Sequence, residues 1–108
     1  MHGYGEFIWK DGKKYIGFYK NDKKEGFGIY YWEVLNKIYI GFWKNGKQEG
    51  LGKYITQDKT ILGLWRDGEK VKLLEDFRDL KNFVNEEQKK FLYFFSCDKV
   101  NIKRFLNQ

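Results

Sequence analysis

The sequence has little of the chemistry from which many enzyme sites are built. Cys97 is the only cysteine, so the chain forms no internal disulfide, which fits a reducing compartment. We expect its thiol, which lies among phenylalanines, to be buried and structural. His2 is the only histidine and lies at one end of the chain, which argues against a Ser-His or Cys-His nucleophile system. No cluster of cysteine and histidine has zinc spacing, so we expect a protein that is not an enzyme and holds neither metal nor cofactor.

Long apolar segments are missing as well. No apolar run approaches the ~20 residues that a membrane-spanning helix needs, and the start "MHGYGEF" lacks the apolar core of a signal peptide. The net charge is +6, but the basic side chains are spread along the chain, whereas nucleic-acid-binding proteins usually gather them into a patch. We expect one cytoplasmic domain, or one plus an appendage, with no nucleic-acid partner and no small-molecule substrate.

What the sequence does contain is a repeated unit. Residues 15–32, "YIGFYKNDKKEGFGIYYW", align without a gap to residues 39–56, "YIGFWKNGKQEGLGKYIT", at an offset of 24. The opening "GYGEFIW" repeats the second half of a unit, and "ILGLWRDGEK" repeats a first half. Residues 1–70 thus hold a half unit, two whole units and a half unit. The positions that define the repeat are Tyr15, Gly17, Tyr19, Gly26, Gly28, Tyr39, Gly41, Trp43, Gly46, Gly50, Gly52, Gly63, Trp65 and Gly68.

Each unit predicts a β-hairpin. Strict alternation in "YIGFW" places the glycine and the large aromatics on one face and Ile40 and Phe42 on the other. The turn lies within "NGKQE", where Asn45-Gly46 adopts positive φ at low cost. Glu25 and Glu49 occupy equivalent positions, and this repetition indicates a structural role beside the turns.

The expected register places an aromatic ring over each glycine. We predict Trp43 opposite Gly52 and Gly41 opposite Tyr54. A ring over bare backbone fills the gap that glycine leaves and shields the hydrogen bonds there, and each such pair contributes roughly 0.2–1 kcal/mol. The same rule in the preceding unit gives the pairs Tyr19 with Gly28 and Gly17 with Tyr30.

The pattern Tyr-x-Gly-x-Trp-x-x-Gly-x-x-x-Gly-x-Gly resembles the MORN repeat (membrane occupation and recognition nexus). Residues 39–52 fit it at every fixed position, and residues 15–28 fit with Tyr19 for tryptophan and Asp22 for glycine. Residues 61–68 fit in part, with Ile61 for tyrosine. The resemblance covers residues 3–70. It implies a mainly β fold, an elongated and twisted antiparallel meander of hairpins.

The hairpins also carry a second apolar face, at positions where the family usually has polar residues. This apolar face consists of Ile16, Phe18, Ile40, Phe42, Leu62 and Leu64. A monomer rarely exposes so much apolar surface, so we expect something to cover it. Burial of apolar area stabilises by ~25 cal/mol per Å².

The C-terminal segment, residues 71–108, is the first candidate for that cover. Its periodicity predicts two or three amphipathic helices. The first has the stripe Leu73, Phe77, Leu80 and Val84; the second has the apolar side Phe91, Leu92, Phe94 and Phe95; the third carries Ile102, Phe105 and Leu106. Asn85 with Gln88 predicts a capping box, and Asp98 predicts an N-cap. The alternative is that these helices extend away as a dimerisation arm.

The resemblance implies a non-catalytic structural or protein-interaction subunit of a larger assembly, of the cytoskeletal or ciliary kind. A second reading is a peripheral membrane tether, in which lysines at the hairpin turns contact anionic phospholipids at about 1 kcal/mol each. These are Lys20, Lys23, Lys24, Lys44 and Lys47. A third reading is an accessory region of a larger enzyme. Because the repeats begin half-way through a unit, we expect either a piece of a longer array or an edge that another chain pairs.

Overall fold

The computed structural model describes residues 2–76, 78 and 80–107. Seven strands follow one another as β1 (Gly3–Ile8), β2 (Lys13–Lys20), β3 (Lys23–Trp32), β4 (Lys37–Lys44), β5 (Lys47–Ile55), β6 (Thr60–Arg66) and β7 (Glu69–Leu74). They form a single antiparallel sheet in the order of the sequence, which confirms the predicted meander. Two 3-10 segments, Leu80–Phe83 and Gln88–Ser96, and the helix α1 (Lys99–Leu106) complete the chain.

Tight turns with positive φ join the strands of each hairpin. Asn45 and Gly46 have φ of 51° and 85°, and Asp67 and Gly68 have φ of 52° and 85°. Positive φ at both central positions is the geometry that asparagine, aspartate and glycine supply most readily. The turn predicted at Asn45-Gly46 is therefore confirmed.

A side chain beside each turn ties one hairpin to the next. Glu25 Oε1 accepts the backbone N–H of Asn45 at 3.0 Å, and Glu49 Oε1 accepts that of Asp67 at 3.2 Å. The structural role predicted for both glutamates is confirmed. In the first half unit, His2 occupies the equivalent place, and its Nδ1 accepts the N–H of the following turn at 3.2 Å.

The predicted register within each hairpin is wrong, by two residues at the first glycine and by four residues beside the turn. Gly41 lies opposite Gly52, not Tyr54, and Trp43 lies opposite Gln48, not Gly52. The preceding hairpin has the same arrangement, with the pairs Gly17–Gly28 and Tyr15–Tyr30 in place of Gly17–Tyr30 and Tyr19–Gly28. The cause is the two-residue turn, which pairs Lys44 with Lys47. A bulge in the return strand, where Gly50 has a φ of 89°, then brings Gly41 opposite Gly52.

An aromatic ring nevertheless covers each glycine pair, from a diagonal position. A Cβ added to Gly28 would lie 2.1 Å from Tyr15 Oη, and one added to Gly52 would lie 2.4 Å from Tyr39 Oη. Tyr15 and Tyr39 are 0% exposed, and their hydroxyls donate to main-chain carbonyls at 3.1 and 3.3 Å. The tyrosine two positions before each first glycine is thus the covering residue.

The apolar face packs against the C-terminal segment and forms the main core. Ile40 and Phe42 from the sheet join Phe95 and Ile102 from the helical part, all of them buried. Phe91 stacks on Phe27 with 4.5 Å between ring centroids. The molecule, in which the C-terminal segment covers the apolar face, measures 37 × 33 × 24 Å.

Buried Lys53 fastens the C-terminal segment to the sheet. Its Nζ donates to the carbonyl oxygens of Phe95 at 2.8 Å and Cys97 at 2.9 Å. Burial lowers the pKa of the Lys53 ammonium from its ordinary value. A buried cation needs such partners, so the site couples the middle of β5 to the end of the second 3-10 segment.

The first predicted helix is wrong where it begins. Val71, Leu73 and their neighbours belong to β7, and among the described residues between β7 and Asn85 only Leu80–Phe83 is helical. Phe77, the central residue of the predicted stripe, lies outside the described residues. After the Asp67-Gly68 turn, pairing with β6 satisfies the backbone groups of β7 that face it, and this outweighs the 3.6-residue periodicity. The division of the chain at residue 70 stays a prediction, and β7 crosses it.

Both predicted helix caps are confirmed. Asn85 N–H donates to Gln88 Oε1 at 2.9 Å, and Gln88 N–H donates to Asn85 Oδ1 at 2.8 Å, which is a reciprocal capping box. Asp98 Oδ1 accepts the N–H of Asn101 at 2.9 Å and opens α1. In the part of the chain that the structure describes, no helix has the length and apolar character needed to cross a bilayer.

The tyrosine-over-glycine contact makes a prediction for Gly28. Its φ is not positive, so Gly28→Ala adds a clash with the Tyr15 ring and little backbone strain. We expect the free energy of unfolding to fall by about 1–3 kcal/mol, measured by urea denaturation. In a Tyr15→Ala background, most of this loss should disappear.

Gly50→Ala is the matched comparison, because its added Cβ would meet nothing within 4 Å but its φ is +89°. It should destabilise by about 1–3 kcal/mol through backbone strain, equally with or without the Tyr15 ring. If Gly28→Ala loses as much stability in the Tyr15→Ala background as in the native chain, the ring is not what excludes a side chain there.

Candidate functional site

The side of the sheet away from the helices carries a continuous layer of aromatic rings. This aromatic face consists of Phe7, Trp9, Tyr15, Tyr19, Tyr30, Trp32, Tyr39, Trp43, Tyr54 and Trp65. Half of these side chains are buried among the others, whereas Phe7 and Trp9 remain 38% and 37% exposed. The described residues of the C-terminal segment beyond β7 pack on the opposite side of the sheet.

The repeat builds this face from two arrangements of rings. Next to the glycine pairs, buried rings meet edge to face, as where Tyr39 and Trp65 cross at 83° with centroids 5.5 Å apart. At the ends of the hairpins away from the turns, the rings stack. The Tyr30 ring centroid lies 4.2 Å from that of Trp32 and 5.7 Å from that of Trp9. The Trp32 and Tyr54 centroids are 6.2 Å apart. These stacked rings are half-buried or exposed, so a row of fixed aromatic groups faces solvent.

Two lysine ammonium groups lie over these rings. Lys24 Nζ lies 5.1 Å from the Tyr30 centroid and 5.3 Å from that of Trp43, and burial lowers the pKa of this ammonium. Lys37 Nζ lies 4.3 Å from the Tyr54 centroid. Cation–π contacts of this kind contribute about 0.5–2 kcal/mol. The aromatic face therefore holds positive charge in fixed positions among apolar groups.

The tyrosine hydroxyls of this face stay protonated over an extended pH range. Burial raises the pKa of Tyr15 and Tyr39 well above the ordinary value of 10.0. It also raises the pKa of Tyr19, Tyr30 and Tyr54. The neutral Tyr15 and Tyr39 hydroxyls donate to the carbonyls of Phe18 and Phe42, whereas the Tyr54 hydroxyl accepts from Gln48.

The predicted apolar face is occupied by the chain itself. Four of its residues are buried, and Phe18 and Leu64 are partly buried against the same core. The contact that this face makes here is with the C-terminal segment, not with a separate protein. Cys97 is 8% exposed and its Sγ points towards the Tyr93 carbonyl at 3.7 Å, so the thiol is buried, as predicted.

The turn lysines fall into two groups. Lys20 lies opposite Lys23, and Lys44 opposite Lys47, so four exposed ammonium groups stand at the ends of two neighbouring hairpins. Lys24 belongs instead to the aromatic face. A signal for this was present in the sequence, because Lys24 alternates in step with Gly26, Gly28 and Tyr30 along β3.

The chemical groups on the aromatic face are suited to binding another molecule. Among residues 2–76, 78 and 80–107, no group of three or more histidine, cysteine, aspartate or glutamate side chains is placed to hold a metal ion. What the aromatic face offers is ring surface, hydroxyl donors and two lysines, which together recognise apolar and anionic groups.

A known family model matches three segments of the repeated part of the chain. The family model described as MORN repeat matches residues 1–14, 15–34 and 39–61. The first segment contains β1, the second contains the greater part of the first hairpin, and the third contains most of the second hairpin. No curated protein matches the chain.

The raised tyrosine pKa values predict loss of stability in alkali. Because folding raises the pKa of Tyr39 above 10.0, its contribution is complete below pH 10.0 and is lost as pH rises above it. One such group changes the free energy of unfolding by up to about 1.4 kcal/mol per pH unit. Urea denaturation at a series of pH values above 10.0 should show that the free energy of unfolding falls less steeply with pH in Tyr39→Phe than in the native chain.

Tyr4→Phe is the control, because Tyr4 is 63% exposed and its removal should leave the decline unchanged. The buried lysines are present in all three proteins, so their opposite pH dependence cancels in the comparison. If the free energy of unfolding falls equally steeply in Tyr39→Phe and in the native chain, Tyr39 is not a source of the alkaline loss of stability.

Proposed function

This chain belongs to the MORN-repeat family, and we propose that it is a non-catalytic protein-interaction module that binds a partner through its aromatic face. The observation that carries the proposal is the unequal cover of the sheet. The C-terminal segment closes the apolar face, whereas Phe7, Trp9 and the stacked rings beside them remain in contact with solvent.

The composition of the aromatic face supports binding of a protein. Tyrosine and tryptophan are enriched at interface centres, where each buries a large area. Here Tyr30 and Trp32 are already held by stacking, so binding would restrict few additional side-chain rotations. Lys24 and Lys37 favour a partner that brings carboxylates among its apolar groups.

We also propose a cellular setting for this module. We place it in a cytoplasmic assembly of the cytoskeletal or ciliary kind, as one subunit among several. Membership of the MORN-repeat family supports this setting, and no particular residue does.

Substitution on the aromatic face tests the main proposal. Tyr30→Ser removes a half-buried ring from the stacked row, and Tyr93→Ser makes the same change at a 70% exposed position on the helical side. In affinity purification from cells that naturally contain the protein, we expect Tyr30→Ser to lower recovery of the partner about tenfold, typical of an interface hot spot. Tyr93→Ser should leave recovery unchanged.

Lys24→Gln provides a second variant if Tyr30→Ser is too unstable. Melting temperatures of all variants separate loss of binding from loss of folding. Folded Tyr30→Ser and Lys24→Gln proteins that recover the same partners in the same amounts as the native chain would rule out the aromatic face as the binding surface.

A second candidate function, an anionic membrane tether, is favoured by the row of turn lysines. Four exposed lysines lie at the turn ends of the two central hairpins: Lys20, Lys23, Lys44 and Lys47. The Gly46 N–H donates to the Lys24 carbonyl at 2.9 Å, which holds the two hairpin ends together. Each lysine near an anionic surface contributes about 1 kcal/mol, an attraction that salt screens.

Vesicle co-sedimentation tests the tether with a matched pair of charge reversals. Lys23→Glu with Lys47→Glu should abolish binding to vesicles that contain phosphatidylserine and phosphoinositide. Lys59→Glu with Lys81→Glu changes the net charge equally at exposed positions elsewhere and should retain it. Equal loss in both double variants, or no binding by the native chain, would remove this candidate.

A further inference from the structure

The loop between β3 and β4 carries two exposed aliphatic residues at its tip. Residues 33–36 form a tight turn, in which the Asn36 N–H donates to the Glu33 carbonyl at 3.1 Å. Val34 and Leu35 occupy its two central positions and are 85% and 64% exposed. Neither side chain belongs to the main core or to the aromatic face, so packing within the chain does not explain them.

Turn chemistry does not explain these two residues either. Glycine, asparagine and aspartate are favoured at the centre of tight turns, because their backbones adopt the required angles readily. The other two loops at this end of the sheet are polar at the same place, with "KDG" at residues 10–12 and "QDK" at residues 57–59. The fold therefore does not require aliphatic side chains there. A pair that serves neither packing nor the turn indicates a role in binding.

The polarity of the loop rises with distance from its tip. Trp32 comes directly before the turn, and its half-buried ring stacks on Tyr30. Lys37 lies opposite Trp32 after the turn, with its Nζ 5.3 Å from the Trp32 centroid. The Glu33 side chain lies against the neighbouring loop, since a Cβ added to Gly12 would be 2.7 Å from its Oε2. The loop thus presents aliphatic groups first, then an indole ring beside a cation.

This order matches the change in polarity across the surface of a lipid bilayer. Aliphatic side chains favour the acyl region, tryptophan lies at the level of the headgroups, and lysine extends its ammonium to water. We propose that Val34 and Leu35 insert into the headgroup–acyl boundary of a bilayer, with Trp32 and Lys37 among the headgroups. The pair favours a bilayer over a protein pocket, because leucine and valine are under-represented among interface hot spots.

This contact is separate from the two surfaces considered above. Loops and turns lie at opposite ends of the strands, so the four turn lysines are at the end of the sheet away from this bilayer. Its attraction comes from burial of apolar side chains and needs no anionic lipid. With one loop inserted, most of the aromatic face stays in water, where a protein partner can reach it.

Vesicles of phosphatidylcholine alone test the proposal, because they carry no net charge. In about 1 M sodium chloride, which screens attraction between charges, the native chain should co-sediment with them. Val34→Ser with Leu35→Ser should lower the partition coefficient about tenfold, because two aliphatic groups no longer leave water. Phosphatidylcholine brominated on its acyl chains should quench the tryptophan fluorescence of the native chain, and much less that of this double variant.

A matched pair of substitutions on β7 is the control. Val71→Ser with Leu73→Ser makes the same two changes where the side chains are 56% and 55% exposed, and it should retain vesicle binding. Lys23→Glu with Lys47→Glu should also retain it, because these vesicles offer no anionic headgroup.

Absence of binding by the native chain, or equal loss in the two double serine variants, would overturn the proposal. So would quenching that Val34→Ser with Leu35→Ser leaves unchanged, because another surface would then contact the lipid. If these two substitutions lower recovery of a protein partner while the native chain does not bind vesicles, the tip binds protein and the proposal is wrong.

Discussion

The fold depends on a tyrosine ring lying on a pair of facing glycines. Where Tyr39 crosses Gly41 and Gly52, a Cβ on either glycine would come within 2.7 Å of the Tyr39 hydroxyl. The glycines are therefore required by the ring, and the ring is required to cover their main chain. Each such contact fixes the register of one hairpin, and register decides which face every following side chain occupies. The separation into an apolar face and an aromatic face follows from this contact.

The apolar face and the aromatic face are packed in different ways. The apolar face is closed by the C-terminal segment, with Phe91 stacked on Phe27 and Lys53 bonded to two carbonyls of the covering chain. The aromatic face is held together by its own rings, which leaves its outer row ordered without a cover. Because both faces are packed within the chain, the outer row of the aromatic face is free for recognition, and binding there does not have to supply the stability of the fold.

Features that a few residue types signal directly were predictable, whereas the pairing of strands was not. The Asn45-Gly46 turn and the Asn85–Gln88 capping box each involve at most four consecutive residues, and both are confirmed. The predicted register is wrong because direct and diagonal positions both put a ring over a glycine. The two-residue turn, followed by the bulge at Gly50, decides between them. The predicted helix through Leu73 is wrong because its apolar spacing fits a helical period, whereas the Asp67-Gly68 turn leads the chain back to pair with β6.

The repeat also explains why Lys24 and the turn lysines have different surroundings despite their proximity in sequence. Lys20 and Lys23 face each other at the hairpin end, where both ammonium groups stay hydrated. One residue further, alternation turns Lys24 onto the aromatic face, where four ring centroids lie within 5.9 Å of its Nζ. At the corresponding position of the next hairpin, Gln48 donates to Tyr54 Oη at 2.8 Å. The repeated backbone therefore presents a cation in one unit and an amide in the next, so that neighbouring units of one array differ in the anionic or neutral groups they favour.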